Sequence, residues 1–384
     1  MMRILVVLNS LYTGGAEFST LLFYQWLQEK GNEIVLVCLK KSTPSFDPAH
    51  FGFSHVQYLS AHSYIGRVRE FVSLIKRHKP QLVHSVLYDA NMIGRGARIF
   101  NNHFVHLESL VNEMYSPHRL KDPNVNWIKL KGYQLLDRLT QGVGVDHFHS
   151  TGASVAAHYR QAIGIHSVRI TIIHRGRSEN RFYGDVDTGR KLRESLGIDP
   201  GVMVMIHVAR HEFQKGHDVL LQALSELDKS LQWICLLAGR EGNLTTSIRK
   251  QIVELNLTEK VWILGHRDDV SRLMAMSDIC VFPTRFEGLP GALIEAEAAA
   301  LPIVCSDIPN NREVVVENEN ALLFPVDDAR QMAKQLEKLL TDTSLRQKLG
   351  ASSLSIYKER FSMEKAHQRM ETLVKELISK REIS

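Results

Sequence analysis

Two rhythms of apolar residues alternate from one end of the 384-residue chain to the other. One is a short continuous run of strand length, the other a spacing of three and four that marks one face of a helix. The first run, residues 3–8, is broken by Asn9 and Ser10 and then by Gly14 and Gly15. Helical spacing follows over residues 17–30 and a second run over 33–39, which predicts a β-loop-α-β unit of the doubly wound kind. The first half continues with an amphipathic basic helix over 65–78, a buried strand over 82–85 and a strand over 103–107. A further short strand is predicted over 140–145, a helix over 154–159 and a closing strand over 169–173.

Between residues 177 and 188 the apolar periodicity lapses and polar residues with Gly184 take over, the mark of a linker. Strand-like runs at 202–208, 233–238, 261–264, 279–282 and 302–305 then alternate with helical patterns near 217–227, 245–255, 270–276 and 290–300. Residues 329–380 are helical in pattern with no further strand. The fold expected is therefore α/β, two Rossmann-like doubly wound domains facing across a cleft. The expected boundaries are 1–183 for the first domain and 184–360 for the second. A C-terminal helix over 361–384 is expected to pack back on the first domain.

Composition narrows this picture only a little. Hydrophobic residues are 44% and charged residues 23%, as in ordinary globular proteins. The net charge of +5, from 47 basic and 42 acidic side chains, is spread along the chain, which argues against nucleic acid as a partner. Cys38, Cys235, Cys280 and Cys305 stand far apart in apolar runs, without metal-ligand spacing or a disulfide framework. The polar residues after Leu8 come too early for a signal peptide, and no run is long enough to span a membrane. These features predict a cytoplasmic protein, soluble or peripheral on the inner face of the membrane.

The candidate chemistry lies where strands end. The run at 279–282 leads into Pro283-Thr284-Arg285-Phe286-Glu287-Gly288-Leu289-Pro290-Gly291-Ala292-Leu293-Ile294-Glu295. Pro290 suits the first position of the next helix, and unpaired N–H groups at Gly291, Ala292 and Leu293 are placed to hold a phosphate with help from the helix dipole. Glu295 stands about 6 Å further along, at 1.5 Å per residue, which is the span from a diphosphate to ribose hydroxyls. Glu287 precedes the helix on the side where a sugar would project its own hydroxyls, and carboxylates accept charge-assisted hydrogen bonds from vicinal diols. After the run at 202–208, Arg210 and Lys215 are set to neutralise a diphosphate as a glycosyl bond breaks, without a metal. Gly14 and Gly15 put backbone amides between a strand and a helix, where they can meet phosphate or an acceptor. The spacing is not G-x-G-x-x-G and there is no P-loop lysine, which argues against a dehydrogenase or an ATPase.

With these residues in view, the chain resembles the retaining glycosyltransferases of family 4, from the Gly-Gly turn through Arg210 and Lys215 to the Glu-x7-Glu segment (Glu287, Glu295) and Ser306-Asp307. The resemblance implies a GT-B fold and a UDP- or GDP-sugar as donor substrate, with no cofactor. It implies that Glu287 contacts the donor sugar, Glu295 the ribose, and Arg210 and Lys215 the diphosphate. Gly265, His266 and Arg267 are implied beside the base, with Gly239 and Arg240 lining the same pocket. Near the strand at 103–107 the family often places a polar residue; His106 and Glu108 both qualify and point the same way, and His106 is the one favoured. Residues 173–177 (Ile-His-Arg-Gly-Arg) stand where many members have a Pro-Asn-Gly turn. The family retains anomeric configuration, and the departing phosphate oxygen helps to deprotonate the acceptor hydroxyl. Asp185-Val186-Asp187 matches the metal motif of a different glycosyltransferase fold, but it lies in the linker, and no metal is expected.

On the acceptor side, a glycan or a lipid-linked glycan is implied. Arg67, Arg69, Lys76, Arg77 and Lys79 on the basic helix, and Trp127, Lys129, Lys131 and Tyr133 further on, suit peripheral contact with anionic lipid. Two rivals stay open: a nucleotide-sugar 2-epimerase of the same fold, and a non-catalytic nucleotide-sugar sensor. The base, the sugar and the linkage are not readable from the residues.

Overall fold

The computed structural model describes residues 1–11, 14–41, 48–53 and 56–383. Thr13, before the Gly-Gly turn, lies outside the described residues. The chain forms two compact units: residues 1–115, 126–176 and 364–384 in one, residues 116–125 and 177–363 in the other.

The first unit holds β1 (Arg3–Leu8), α1 (Gly15–Glu29), β2 (Glu33–Cys38), β3 (Val56–Tyr58), α2 (Tyr64–His78), β4 (Leu82–Val86), α3 (Tyr88–Phe100), β5 (Val105–Leu110), α4 (Trp127–Gly144), β6 (His147–Ser150), α5 (Ala153–Ile163) and β7 (Ile170–Ile172). The strands pair in the order β3-β2-β1-β4-β5-β6-β7, all parallel. Because helices cover both faces, β1 is buried on both, and its alternation sorts its side chains between two cores. Ile4, Val6 and Leu8 pack with Leu21 and Tyr24 of α1, while Leu5 and Val7 pack with Phe71 and Ile75 of α2 and Ile93 of α3.

The second unit holds α6 (Val186–Ser195), β8 (Met203–Val208), α7 (His217–Ser225), β9 (Trp233–Ala238), α8 (Thr245–Glu254), β10 (Val261–Gly265), α9 (Val270–Met276), β11 (Ile279–Phe282), α10 (Gly291–Ala298), β12 (Ile303–Ser306), α11 (Pro309–Arg312), β13 (Ala321–Phe324), α12 (Ala329–Thr341) and α13 (Thr343–Arg360). Its sheet runs β10-β9-β8-β11-β12-β13, again parallel throughout. Finally α14 (Met363–Ile383) carries Met370, Leu373, Val374 and Ile378 into the core of the first unit beside α1.

The units divide at residues 176/177 and not after 183, because Arg177 is built into the second one. Its N–H donates to the Phe361 carbonyl at 3.0 Å, and its carbonyl accepts from the Met363 N–H at 3.0 Å and the Tyr357 hydroxyl at 2.9 Å. The strand expected over 140–145 is instead the last turn of α4, and the strand of this region is β6. Close packing holds the helix there: a Cβ on Gly144 would lie 2.7 Å from Cβ of Arg95 in α3. Among the described residues no helix is long and apolar enough to cross a membrane.

Candidate functional site in the second unit

In an open parallel sheet, ligands bind beyond the carboxyl ends of the strands, where the strand order reverses. In the second unit that point lies between β8 and β11. The chain leaving β8 carries Arg210 and Lys215; the chain leaving β11 carries Glu287 and then α10. The two loops are held against each other. The Gln214 side chain donates to the Phe286 carbonyl at 2.6 Å, and the Arg285 N–H donates to the Gln214 carbonyl at 2.8 Å. Gly216 turns the first loop at φ +64°, and a Cβ there would lie 2.0 Å from the Pro283 carbonyl oxygen. Glycine is thus required twice over, by conformation and by space.

This contact brings Lys215 Nζ to 2.5 Å from Glu287 Oε1, with both side chains largely buried. The Thr284 hydroxyl lies 2.8 Å from the same carboxylate oxygen. The Ser306 hydroxyl in turn donates to the Thr284 carbonyl, and the Asn311 amide donates to the Ser306 carbonyl at 2.8 Å. Arg285 clamps the base of the loop: it reaches Asp327 at 2.7 Å, Asp218 at 2.6 Å and the Phe213 carbonyl at 2.7 Å. Thr284, Arg285, Gln214, Ser306 and Asn311 orient the Lys215–Glu287 pair; apart from Ser306, which the family resemblance already included, nothing in their spacing marks them as functional. Among the others, only the Thr284 to Glu287 interval of three, inside a motif already singled out, offered a signal.

At the start of α10, the expectation of three unpaired N–H groups needs correction. The Leu293 N–H donates to the Pro290 carbonyl at 3.2 Å, and its side chain, like that of Leu289, belongs to the core. Gly291 and Ala292 remain, and among the described residues neither N–H is taken by a backbone carbonyl. Glu295, one turn on, is about one-third exposed, and Arg177 Nε donates to its Oε1 at 2.6 Å. The same guanidinium lies over Gly291, where a Cβ would come within 2.1 Å of Arg177 Nη2. Arg177 therefore adds a cation at a helix N-terminus that already attracts anions. It stood in the sequence only as part of an atypical turn, and its contact with Glu295, 118 residues away, has no sequence signal.

The neighbouring strands complete the edge. Gly239, after β9, donates its N–H to the Gly265 carbonyl at 2.8 Å, and a Cβ on it would lie 1.8 Å from the Ala209 carbonyl oxygen. Arg240 follows it, its carbonyl accepting from the His211 N–H at 3.2 Å. Gly265 ends β10 at φ +65°, and His266 beyond it is half-exposed. Arg267 is engaged by Asp269 through two bonds of 2.6 and 2.7 Å. Arg210, partly exposed, pairs with Glu212 at 2.7 Å. Beneath this loop three imidazoles meet edge to face: His207 and His217 at 4.7 Å and His211 and His217 at 5.0 Å between centroids. Burial lowers the pKa of all three, with His207 pushed down to about 4.

His106 is placed otherwise than expected. It is wholly buried in β5, with Nδ1 against the Gly144 carbonyl at 2.5 Å and Nε2 at 2.9 Å from the Ser85 hydroxyl, and burial lowers its pKa. Glu108, its alternative, is equally buried and takes two bonds of 2.6 Å from Arg95, which also pairs with Asp137 at 2.6 Å. Both are core groups. On the opposite face of the sheet, Tyr24, His84, Ser109 and His149 form one chain of hydrogen bonds ending on the Ile173 carbonyl. Burial lowers the pKa of both imidazoles, His149 to about 4, and with both rings neutral each group can donate once in the same direction towards that carbonyl.

Gly14 caps α1 in extended conformation and accepts from the Phe18 N–H at 3.0 Å, with Gly15 opening the helix. Asp185 is a helix cap, accepting from the Thr188 N–H at 2.9 Å, and Asp187 pairs with Arg190. A cavity of about 850 Å³ opens in the first unit at the amino ends of β1 and β5, beside Arg3, Lys76 and Lys79. It lies at the edge of the sheet opposite the strand carboxyl ends, so it does not bear on the site above.

Two parallel α/β sheets in these orders are the architecture of GT-B proteins. The Anabaena HepE protein, solved in complex with UDP and glucose, superposes with a TM-score of 0.86 at 18% identity, covering 98% of this chain and 100% of that one. WaaG, a glycosyltransferase involved in lipopolysaccharide biosynthesis, gives 0.74 at 17% identity over 95% and 98%. The chain belongs to glycosyltransferase family 4: residues 13–181 match the profile described as Glycosyltransferase Family 4, and residues 189–354 match Glycosyl transferases group 1.

Among relatives, a Campylobacter jejuni enzyme is 32% identical over 159 residues, 41% of this chain and 42% of its own. It is named N-acetylgalactosamine-N,N'-diacetylbacillosaminyl-diphospho-undecaprenol 4-alpha-N-acetylgalactosaminyltransferase. The Escherichia coli UDP-Gal:alpha-D-GlcNAc-diphosphoundecaprenol alpha-1,3-galactosyltransferase is 24% identical over 46% of this chain and 47% of its own. The chain spans about half the length of the curated relatives it matches.

Proposed function

We propose that this protein transfers a sugar, with retention, from a UDP- or GDP-sugar to a hydroxyl of a glycan or lipid-linked acceptor. The observation that carries the reading is the meeting of Lys215 with Glu287 beside the start of α10, one turn from Glu295. Glu295 takes the ribose hydroxyls and Glu287 those of the sugar, while Arg210, Lys215 and the N–H groups of Gly291 and Ala292 take the diphosphate. As the bond from the anomeric carbon to phosphate oxygen breaks, Lys215 offsets the charge gathering on that oxygen. The acceptor oxygen bonds to the same carbon from the same face, and its proton passes to the departing phosphate. In this reading the chemistry needs no cofactor and no metal, and Gly239, Arg240, Gly265, His266 and Arg267 border the nucleoside. Gly14 and Gly15 serve phosphate or acceptor.

The names of the relatives, two of which carry diphospho-undecaprenol, favour a lipid-linked acceptor, and contact with an anionic membrane belongs to the same proposal. Thermal shift against a panel of nucleotide sugars tests the donor side, since a ligand at a hundred times its Kd raises stability by about 2.7 kcal/mol. One nucleotide class should stabilise the wild type, and Glu295→Ala should weaken it at least tenfold, the value of about 1.4 kcal/mol expected for losing a charge-assisted contact. No shift with any UDP- or GDP-sugar would refute the proposal.

A further inference from the structure

Helix α4 is inverted relative to an ordinary surface helix. Its inner side carries Gln134, Asp137, Thr140 and Gly144 with Leu130, because it packs on a buried charge: Arg95 of α3 bonds Asp137 and the Thr140 hydroxyl at 2.6 and 2.8 Å. Its outer side carries the bulk of its apolar residues. Trp127, Ile128, Leu135, Leu136, Leu139 and Val143 are each 45 to 78% exposed and follow one another at helical spacing. From Ile128 to Val143 this stripe is about 22 Å long at 1.5 Å per residue. A water-facing helix shows the reverse pattern, and exposed apolar surface of this extent marks an interaction site.

Charge tells what covers it. The acid of α4, Asp137, is turned inward and paired, while its cations Lys129, Lys131 and Arg138 are all exposed. The outer side thus presents apolar residues flanked by positive charge and no carboxylate, the pattern of a helix lying in the interface of an anionic bilayer, with a tryptophan at one end. A protein partner of matched polarity gives no reason for the missing acids. The basic helix α2 does not offer the same surface, for its apolar residues Val68, Phe71, Leu74 and Ile75 are buried against the sheet.

We infer that the outer face of α4 is the surface by which this protein rests on anionic lipid, its apolar stripe inserted at the headgroup boundary. This rests on the membrane contact proposed above and names the face responsible. The test is co-sedimentation of the full chain with vesicles of phosphatidylethanolamine and phosphatidylglycerol, and of phosphatidylcholine alone, across a salt series. Wild type should partition at least tenfold more onto the anionic vesicles at low salt. Leu135→Glu with Leu139→Glu should lower that partition at least tenfold, with the melting temperature unchanged because both side chains face solvent. Equal retention of this variant and wild type would overturn the inference while leaving membrane contact standing. Failure of wild type to bind either vesicle would overturn both. Self-association of wild type in solution, abolished by the same substitutions without vesicle binding, would assign the stripe to a second copy of the chain and also overturn it.

Discussion

Removing the amine of Lys215 separates what it does for folding from what it does for chemistry. In Lys215→Ala the Glu287 carboxylate, only 9% exposed in its side chain, keeps the Thr284 hydroxyl but loses its 2.5 Å cation. Stripping one partner from a buried pair costs 3–5 kcal/mol when no water reaches the other. Here Lys215 is 15% exposed, so water enters the gap and about 2–3 kcal/mol is the expected loss. Adding Glu287→Gln removes the stranded charge, and the double variant should recover at least half of that stability. Guanidinium chloride unfolding of the four proteins reads this as a coupling energy. Turnover behaves differently: with the lysine gone, neither variant regains the stabilisation of the leaving phosphate, and each should lose about 10²–10³ in kcat while donor affinity falls by less. A coupling energy near zero would refute the pairing. An equal loss of affinity and kcat in Lys215→Ala would refute the role of Lys215 in the transition state.

Two further outcomes follow from packing and burial. Gly239→Ala places a methyl 1.8 Å from the Ala209 carbonyl, so the ends of β8 and β9 must part; a loss above about 3 kcal/mol is expected in thermal unfolding, and a near-neutral result would contradict the close approach. Burial pushes both His149 and His207 down to about 4 from a usual value of 6.5, so both are neutral in the fold and take up protons on unfolding. Their contribution is fully present above pH 6.5 and is lost as pH falls towards 4, about 2 kcal/mol for each at pH 5. Urea midpoints that do not change between pH 7 and pH 5 would refute this burial.

The misread segment over 140–145 shows where pattern stops informing. Thr140, Val143 and Val145 with intervening glycines look like a strand edge, and local preference alone leaves them so. They end a helix because Asp137 and Thr140 must reach a guanidinium 42 and 45 residues away. His106 was ambiguous for a related reason: a polar residue in an apolar strand signals either a ligand or a satisfied core group, and only its two hydrogen bonds, to Ser85 of β4 and to the end of α4, decide.

By itself the sequence determined the alternation of strands and helices and the segment that joins Glu287 through α10 to Glu295, because strand ends, glycines and helix starts are local events with local signatures. Tertiary structure alone decided that Lys215 faces Glu287, that Arg177 holds Glu295, and that the apolar side of α4 looks outward. Each of these joins or orients groups far apart in the chain, and such contacts arise only when packing and buried charge fix which faces meet.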